Sequence, residues 1–469
     1  MAPTAHRGLN ALIAAVRAGS IGGDIGQARA ISDTAGRGWT YAMLVAEAAR
    51  SWEHLRTHRP AGVLLLLADQ SAEAVAALLG GLAAGYQVIL QGAALDEDAR
   101  ARLEQAFRPD ATFERGSLQL DACAGPPAYP AAAVLLSTSG TTGSSKFVRL
   151  PLAALVANAR QIADALHIAS TDIALGHLPI HYSYGLSVVT SHLEVGAAVH
   201  LTAMSFTQPD FWQDVAVARA THLPGVPFHY MFLARGALGS LVPSCIKSFT
   251  QAGGALAVPV RQRVHDAVGS RGGRFYVMYG QTEAAPRIAT LDHADFPAHP
   301  ESVGRVLAGG HLRIVNEQGG DVAAGEEGEI VYSGPNVMAG YASTREDLTA
   351  PDLPLPLIRT GDRGVLDQRG FLTLRGRDQG FAKVGGLRLG LDDLAARLAP
   401  FSDVALLPGD DRVHVFHAAA AEGDLKPHIR NLALDYAIPV SSFSLHVLAD
   451  IPRHASGKVD YQRLRELAE

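Results

Sequence analysis

Cysteine and basic residues are scarce in this sequence, and each shortage excludes a class of protein. Cys123 and Cys245 are the only cysteines among 469 residues, too few for a disulfide framework or a cysteine-based metal site. Lysine and arginine number 40 against 46 aspartates and glutamates, which gives a net charge of −6. This composition lacks the basic surface of a nucleic-acid-binding protein. We therefore expect a protein of the reducing cytoplasm with no nucleic-acid partner.

Long apolar runs are also missing. The run GVLLLLA at 62–68 has the length of one strand, whereas a membrane-spanning helix needs about 20 apolar residues. The N-terminal stretch MAPTAHRGLNALIAAVRAG is interrupted by Arg17 and has no cleavage site typical of a signal peptide. Hydrophobic residues still make up 48% of the chain, which is enough for a large core. We expect a soluble protein without a membrane span, built from about two to four domains.

Strand-length apolar runs alternate with helical patterns in the first part of the chain. Such alternation is typical of a mostly parallel sheet with helices on both faces, so the sequence predicts an α/β fold. The predicted strands and helices of this part are the strands 61–68, 86–92, 133–137 and 173–178 and the helices 72–84, 152–166 and 185–195.

The pattern changes after residue 300. The segment 311–341 alternates apolar and polar residues around glycine-containing turns, which predicts antiparallel strands in a small β-barrel-like part. Residues 364–377 resemble a hairpin with its turn at 367–370. The remaining residues have strand and helix patterns of their own, so we predict a large N-terminal domain, 1–377, and a small α+β domain, 378–469. The predicted elements of the second domain are the helices 391–398 and 425–436 and the strands 412–417 and 443–448.

The stretch STSGTTGSSK, residues 137–146, combines glycines, hydroxyls and a lysine directly after a predicted strand. Glycines allow close backbone approach to a ligand, and successive N–H groups can form an anion-binding concavity. The stretch is not a Walker loop, because Ser145 stands where that loop has glycine before its lysine. A short polar run can also be a flexible surface turn. The preceding strand and the many hydroxyls favour contact with phosphate.

STSGTTGSSK resembles the signature loop of the adenylate-forming superfamily, although the usual form has proline at the position of Ser145. Further resemblances follow in the family's order: VMYGQTEAA (277–285), IRTGDRG (358–364), the hinge block LRGRDQGFAKVGGLRLGLDDL (374–394) and IPRHASGKVDYQRL (451–464). Together the resemblances extend from about residue 30 to the end of the chain. The family includes acyl-CoA synthetases, acyl- and aryl-AMP ligases, peptide-synthetase adenylation domains and luciferases. Chance does not account for so many blocks in order.

The resemblance implies a site for ATP and Mg²⁺. Tyr279 would stack near the adenine, Thr282 would touch the α-phosphate, and Glu283 would hold Mg²⁺, since this cation prefers carboxylate and phosphate oxygens. Asp362 would accept hydrogen bonds from the ribose hydroxyls, and Lys458 is the adenylation lysine. An incidental glutamate, a turn aspartate and a surface lysine are the simpler alternatives. The full set of residues expected at ATP comprises Thr138, Ser139, Gly140, Thr141, Thr142, Gly143, Lys146, Gly253, Gly254, Tyr279, Gly280, Gln281, Thr282, Asp362, Arg377 and Lys458.

The resemblance also implies a mobile C-terminal domain that presents two faces to one site. Gln379 stands at the hinge position, where the family commonly has Asp or Lys. After adenylation, rotation about the hinge would withdraw Lys458 and bring forward the residues along the path of the incoming thiol. These residues are Lys383, Gly385, Gly386 and Arg388.

The acid pocket in this family is lined by the segments that here read HLPIHYSYGLS (177–187), HLPGVPFHYMF (222–232) and VMYGQTEAA. The first segment contains no aspartate or glutamate, so we do not expect an α-amino acid. A mostly apolar pocket suits an aryl acid or a short-to-medium aliphatic acid. His181 and His229 are candidates to hydrogen-bond a substrate hydroxyl, and a structural role is equally consistent with them. The third lining region begins before VMYGQTEAA, at QAGGAL (251–256), which contains the GGAL loop (253–256). The other expected pocket residues are Tyr182, Ser183, Val226, Phe228, Met231 and Met278.

We therefore expect a ligase that forms an acyl- or aryl-adenylate and transfers the acyl group to a phosphopantetheine thiol. The segment 178–197 resembles small bacterial acyl-AMP ligases of polysaccharide and secondary metabolism, and the C-terminal domain is short. Both features favour an acyl carrier protein as partner, with free CoA as the alternative. Two further alternatives are a luciferase-like oxidoreductase and a catalytically inactive homologue. Retention of Lys146, Glu283, Asp362, Arg377 and Lys458 argues against the inactive homologue.

Overall fold

The computed structural model describes residues 8–95, 97–122, 125–137, 146–351, 355–377, 381–384, 387–409, 412–418, 425–436, 438–454 and 457–468.

The described residues form 25 β-strands. They are β1 (Arg29–Asp33), β2 (Gly38–Thr40), β3 (Val63–Ala68), β4 (Gln87–Gly92), β5 (Ala111–Glu114), β6 (Ser117–Leu120), β7 (Ala133–Ser137), β8 (Phe147–Pro151), β9 (Ile173–Gly176), β10 (Ala198–Leu201), β11 (His222–Gly225), β12 (Ser248–Gln251), β13 (Arg274–Gly280), β14 (Arg287–Leu291), β15 (Arg305–Val306), β16 (His311–Val315), β17 (Glu327–Ser333), β18 (Tyr341–Ala342), β19 (Ile358–Leu366), β20 (Leu372–Arg377), β21 (Phe381–Val384), β22 (Leu387–Gly390), β23 (Val404–Gly409), β24 (Arg412–Ala418) and β25 (Phe443–Leu448).

The same residues form 14 α-helices. They are α1 (Leu9–Ala18), α2 (Gly23–Gln27), α3 (Tyr41–His58), α4 (Ala72–Ala83), α5 (Glu97–Phe107), α6 (Leu152–Ala165), α7 (Ser183–Glu194), α8 (Pro209–Ala218), α9 (Pro227–Phe232), α10 (Leu238–Ser240), α11 (Val258–Gly269), α12 (Leu391–Leu398), α13 (Lys426–Asp435) and α14 (Tyr461–Ala468). None of these helices is long and apolar enough to cross a bilayer.

Two large sheets form the framework of the N-terminal part. A nine-stranded sheet has the order β15-β14-β13-β12-β11-β9-β10-β1-β2, and a seven-stranded sheet has the order β18-β8-β7-β4-β3-β5-β6. The central strands of both sheets are parallel, while the outer strands pair antiparallel. Every residue of β3 is buried, as expected for a parallel strand covered on both faces. The predicted α/β class is confirmed.

Local sequence explains why these elements begin where they do. The hydroxyl of Ser71 accepts a hydrogen bond from the Ala74 N–H at 3.2 Å and thereby caps α4. Eleven alanine, valine, leucine and glycine residues of this helix are buried in the core. Thr40 caps α3 in the same way, accepting from the Met43 N–H at 3.3 Å. Such caps satisfy N–H groups that have no partner within the helix. Helices α3 and α4 therefore begin directly after a capping hydroxyl residue.

The antiparallel part after residue 300 forms an open sheet rather than a barrel. Its four strands have the order β16-β17-β19-β20. The outer edge of β20 bonds to the chain at 303–304, since the Val303 N–H donates to the Leu372 oxygen at 2.8 Å and the Leu372 N–H to the Gly304 oxygen at 2.9 Å. That segment leads into the nine-stranded sheet. Within the described residues no closed barrel forms, because the edge that would close it is already paired.

The C-terminal part has hydrophobic clusters of its own. One cluster lies between α12, α13 and the sheet β23-β24-β25 and extends from Ala382 to Phe443. A smaller one joins the opposite face of that sheet to Leu464 on α14. The main cluster of the N-terminal part ends at Leu372. The region between Leu372 and Ala382 therefore lies between separate apolar cores.

A buried ion pair fixes the segment that leads towards the C-terminal part. The guanidinium of Arg345 donates to Asp110 at 2.8 Å, and both side chains are fully buried. Asp110 also accepts from Arg59 at 2.6 Å and from the Val63 N–H at 2.8 Å. The remaining Arg345 donors bond to backbone oxygens, including that of Pro126 at 2.8 Å. Asp110 is thus paired with two guanidinium groups, and the further donors of Arg345 are satisfied by backbone oxygens.

We predict that Arg345→Met lowers the free energy of unfolding by about 3 kcal/mol, because it breaks a fully buried ion pair and leaves buried backbone oxygens without their donor. Arg313→Met is the matched control, since Arg313 pairs with Asp321 at 2.7 Å on the surface and such pairs contribute less than about 1 kcal/mol. The measurement is urea unfolding followed by the fluorescence of Trp39, Trp52 and Trp212, all in the N-terminal part. Equal shifts for the two variants would contradict the prediction.

Candidate active site

The end of β13 brings the predicted adenine and ribose residues into direct contact. Tyr279 is buried next to the last residue of this strand, and its hydroxyl donates to Asp362 Oδ2 at 2.6 Å. Asp362 lies in β19 and is 6% exposed. In the β19–β20 ladder it stands opposite Arg377, whose side chain is not described. An acceptor-only carboxylate beside an aromatic ring suits a ribose hydroxyl next to a base.

The turn after β13 carries the predicted phosphate and metal residues. Gly280 and Gln281 lead into a short 3₁₀ turn, Thr282–Ala284. The Thr282 hydroxyl donates to the Ser183 hydroxyl at 3.2 Å, which joins the predicted phosphate residue to the first residue of α7. Glu283 Oε1 accepts from the Tyr341 hydroxyl at 2.9 Å. Burial and the Glu283 carboxylate raise the pKa of Tyr341.

Glu283 fits a cation that takes most of its ligands from phosphate and water. Carboxylate oxygen is a suitable ligand for Mg²⁺, which is commonly held by one or two carboxylates together with substrate phosphates. In the part of the chain that the structure describes, no group of three histidine, cysteine, aspartate or glutamate side chains is arranged to hold a metal. The donors present therefore fit a nucleotide-bound ion rather than a metal caged by protein.

The glycine- and hydroxyl-rich loop connects two paired strands. Ser137 at the end of β7 stands opposite Phe147 at the start of β8, so the loop is the turn of an antiparallel pair. Lys146, at its C-terminal end, is exposed. The predicted contacts of Thr138, Ser139, Gly140, Thr141, Thr142 and Gly143 lie outside the described residues.

The predicted acid pocket lies between the start of α7 and the start of α9. Tyr182 precedes α7, Val226 precedes α9 and is 1% exposed, and Met278 on β13 is 5% exposed. Gly253 has φ +84°, and a Cβ at this position would lie 2.4 Å from the Tyr182 hydroxyl. A Cβ on the next residue, Gly254, would lie 3.1 Å from Pro227 Cγ. The two glycines therefore allow the GGAL loop to approach the pocket wall.

Both histidines predicted near the acid are packed into the walls. His229 stacks on Phe206 with ring centroids 4.3 Å apart, and its Nδ1 accepts from the Val226 N–H at 3.3 Å. His181 packs against Gly92 at the end of β4, where a Cβ would lie 2.8 Å from the ring. Burial lowers the pKa of both rings, so both are neutral at pH 7. The contacts of His229 support the structural alternative for that residue.

Lys458 reaches this pocket from the C-terminal part. Its Nζ lies 4.7 Å from the centroid of the Tyr182 ring. The hairpin that carries it is closed by hydrogen bonds from the His454 N–H to the Lys458 oxygen and from the Gly457 N–H to the His454 oxygen, each 2.8 Å long. Gly457 has φ +78°, and a Cβ on it would lie 2.9 Å from Val226 Cγ2.

Arg453 makes a second contact between the C-terminal part and the predicted acid pocket. Arg453 lies with its guanidinium carbon 5.3 Å from the centroid of the Phe228 ring. Two hydrogen bonds of 2.7 Å to Asp403 and one of 3.1 Å to the Gly457 oxygen fix its orientation. Neither Arg453 nor Tyr341 is predicted from the sequence, although Arg453 stands in the block IPRHASGKVDYQRL and Tyr341 ends the segment 311–341. Their roles depend on contacts with Phe228 and Glu283 that sequence spacing does not show.

The predicted hinge and thiol-path residues are only partly described. Gln379, Gly385 and Gly386 lie outside the described residues. Lys383 stands opposite Arg388 in the β21–β22 hairpin, and their side chains are not described. Their predicted roles stay predictions.

Comparison with known proteins identifies the family. Residues 118–342 match the sequence profile described as AMP-binding enzyme. The chain is 30% identical over 365 residues to sulfoacetate–CoA ligase of Cupriavidus necator, in an alignment that covers 73% of this chain and 68% of that protein. The chain belongs to the AMP-binding, adenylate-forming enzyme family. Indoleacetate–CoA ligase of Aromatoleum aromaticum is 33% identical over 270 residues, covering 57% of this chain and about half, 52%, of that protein.

The architecture is shared with solved structures of similar length. The ATP-bound MatB from Rhodopseudomonas palustris superposes with a TM-score of 0.79 at 23% identity, over 98% of this chain and 99% of that one. At this identity the likeness establishes the fold. The two large sheets, the open antiparallel sheet and the C-terminal part therefore form one known architecture of the family.

We predict that Gly457→Ala slows adenylate formation on the order of 100-fold, the loss expected when a catalytic group moves by about 1 Å. The new Cβ would press on Val226, and Val226→Ala in the same chain should restore much of the rate. Gly319→Ala is the control for backbone strain, because Gly319 has φ +81° but open space around its Cβ position. The measurement is pyrophosphate release under single-turnover conditions. An equal loss in the control, or no rescue by Val226→Ala, would show that the contact is unimportant.

Proposed function

We propose that this protein is an ATP-dependent acid–thiol ligase, which forms an acyl- or aryl-adenylate and then a thioester. The observation that carries the proposal is the position of Lys458 over Tyr182. It places the ammonium group of Lys458 beside the acid pocket, at the residue that precedes Ser183. Ser183 in turn bonds to Thr282, so acid pocket, phosphate residue and lysine form one connected site.

In the first reaction the acid carboxylate attacks the α-phosphate of ATP, and pyrophosphate leaves. Carboxylate and triphosphate repel each other, so the site must supply positive charge where negative charge accumulates. Lys458 meets this need, and preorganised groups of this kind commonly supply a large part of catalysis. Asp362 and Tyr279 would orient the nucleoside. Glu283 would hold Mg²⁺, which neutralises phosphate charge when bound.

The second reaction requires a different surface at the same place. Lys458 approaches Tyr182 from a part of the chain with separate apolar cores, which supports treating residues 378–469 as a mobile domain that rotates about Gln379. Rotation would remove Lys458 and expose the adenylate to a thiol near Lys383, Gly385 and Gly386. The attack on the carbonyl carbon releases AMP and leaves the acyl group on sulfur.

Free CoA is the better-supported acceptor. The relatives described above are named CoA ligases, whereas the acyl carrier protein expected from the sequence has no specific support among them. Both acceptors present the same phosphopantetheine thiol, so the chemistry of transfer is unchanged. A competition between CoA and a holo carrier protein for the preformed adenylate distinguishes the two.

The proposed acid pocket lies between Tyr182, Val226, Phe228 and Met278, and it suits a small acid. An aryl acid or a short-to-medium aliphatic acid suits the apolar walls. The names of the relatives support this range, because one acts on sulfoacetate and another on indoleacetate. Exchange of labelled pyrophosphate into ATP, dependent on each acid of a panel, identifies the class.

We predict that Lys458→Ala slows adenylate formation about 100- to 1000-fold, a range typical for the loss of one preorganised donor, with little effect on thioester formation from added acyl-AMP. Lys247→Ala is the matched control, since Lys247 is exposed and precedes β12. The measurements are pyrophosphate exchange for the first reaction and thioester formation from synthetic acyl-AMP for the second. Equal losses in both reactions would contradict the two-face mechanism.

A further inference from the structure

Arg287 is a buried arginine without a partner for its charge among the described residues. Its side chain is 2% exposed, and its Nε is buried without a hydrogen bond. No carboxylate in the described ranges lies at ion-pair distance from its guanidinium. Burial lowers the pKa of Arg287, but arginine stays protonated in proteins. A buried cation without a counter-charge is costly, so this position needs an explanation.

The other buried arginines show how this chain normally satisfies such groups. Arg345 pairs with Asp110, Arg149 donates to the backbone oxygen of Asp347 at 2.8 Å, and Arg261 donates to that of Ser302 at 3.2 Å. Each therefore has acceptors within the protein. Arg287 differs from all three, which indicates that its acceptor comes from outside the chain.

Hydrogen bonds fix the backbone of Arg287, and this fixed backbone determines where its side chain starts. Asn158 donates to the Arg287 oxygen at 2.9 Å and accepts from the Arg287 N–H at 3.0 Å. Asn336 donates to the same oxygen at 3.0 Å. The guanidinium carbon lies 5.0 Å from the centroid of the Tyr184 ring. These bonds do not involve the guanidinium, which keeps its hydrogen-bonding capacity for a ligand.

Arg287 lines a narrow cavity behind the acid pocket. The cavity lies between α6, α7 and the ends of β11 to β14, and it is shared with Met278, a predicted pocket residue. It offers about 20 Å³ to the centre of a water molecule, enough for one small polar group but not for a whole acid. The Tyr184 hydroxyl bonds to Thr250, at 2.7 Å from its backbone oxygen and 2.8 Å from its hydroxyl, and within the described residues its contact with Arg287 is through the ring face.

The other titratable groups around the cavity do not supply a negative charge. Burial lowers the pKa of His192 to about 3 and that of His222 to about 4, and burial raises the pKa of Tyr184 to about 12. All three are thus neutral at pH 7. Asp172 lies beyond His222, 3.9 Å from its Nδ1, and accepts from Thr221 at 3.0 Å. Arg287 is therefore the charged side chain among the described residues that line this cavity.

The rings of Tyr182 and Tyr184 lie between Lys458 and the cavity that Arg287 lines. Lys458 Nζ lies 4.7 Å from the Tyr182 centroid, Tyr182 and Tyr184 are 6.2 Å apart, and Tyr184 is 5.0 Å from the Arg287 guanidinium carbon. Lys458 and Arg287 therefore stand at the two ends of the Tyr182–Tyr184 ring pair, so an acid lying along these rings would have a cation at each end. A guanidinium offers paired donors that match a carboxylate.

We propose that Arg287 binds a second carboxylate at the far end of the substrate, so that the enzyme prefers dicarboxylic acids. This inference rests on the proposed ligase function and narrows its substrate class. One carboxylate reacts with ATP near Lys458, and the other compensates the charge of Arg287. An acid without the second anionic group leaves the buried guanidinium uncompensated and is selected against.

The test compares each diacid with its monomethyl ester in acid-dependent pyrophosphate exchange. The panel contains succinic, glutaric, adipic, pimelic and terephthalic acids. We expect kcat/KM for the best diacid to exceed that for its ester by about 100-fold or more, the scale for removing one partner of a buried charge pair. Arg287→Met should remove most of this preference, mainly by lowering activity with the diacid, and Arg287→Lys should retain part of it.

Arg261→Met is the matched control, because it removes another buried arginine that bonds to backbone oxygens outside the pocket. It should lower Tm without changing the ratio of diacid to ester. As a readout independent of turnover, saturating diacid should raise the Tm of the native protein but not of Arg287→Met. A native preference for the esters, or an unchanged ratio in Arg287→Met, would overturn this inference alone. No exchange with any acid of a broad panel would overturn the proposed ligase function and this inference with it.

Discussion

The contact between the Lys458 ammonium and the face of Tyr182 is the interaction on which the arrangement of the site depends. A cation held over an aromatic ring is attracted by the ring's electron density, by about 0.5–2 kcal/mol. Arg453 makes the same kind of contact with Phe228. Both cations belong to the C-terminal part and both rings to the N-terminal part. Two modest attractions therefore join the predicted adenylation lysine and its neighbour Arg453 to the predicted acid pocket.

The topology of the sheets explains why distant segments meet at this place. Strands β9, β11, β12 and β13 run parallel in one sheet, so their carboxyl ends lie along one edge. Ligands of open α/β sheets commonly bind at this edge. The turn after β13 supplies Thr282 and Glu283, while the segment after β9 supplies Tyr182 and Ser183. The hydrogen bond from Thr282 to Ser183 joins these two segments.

Much of the framework is predictable from sequence because local signals agree with the final environment. Helix α12 and strand β25 have the bounds that the sequence predicts, and β3 is a continuous apolar run in a position buried on both faces. The barrel-like part is predicted less well, because closure depends on which strand pairs with the edge of β20. The β20 edge is occupied by 303–304, and that pairing has no local sequence signal.

In the site, too, residues that stand in motifs are predictable from the sequence, whereas residues whose roles depend on spatial contacts are not. Tyr279, Asp362 and Lys458 stand in recognisable blocks, and in the structure Tyr279 bonds to Asp362 while Lys458 lies over Tyr182. Arg287 follows the YGQTE block by only a few residues, yet its importance lies in the absence of a bonded acceptor among the described residues. Asp110 and Arg345 are far apart in sequence and carry no motif. The sequence alone does not predict residues such as these, whose roles depend on contacts between distant parts of the chain.

The close approach of Gly457 to Val226 connects the choice of acid to the timing of the reaction. Val226 is a wall of the acid pocket on one side and the surface against which the lysine hairpin rests on the other. An acid that pushes this wall outwards also displaces the hairpin, so a poor fit is felt at the reacting atoms and not only in binding strength. The enzyme then discriminates among acids in turnover as well as in affinity. A substitution that widens the pocket at Val226 would also change the position of the Lys458 hairpin.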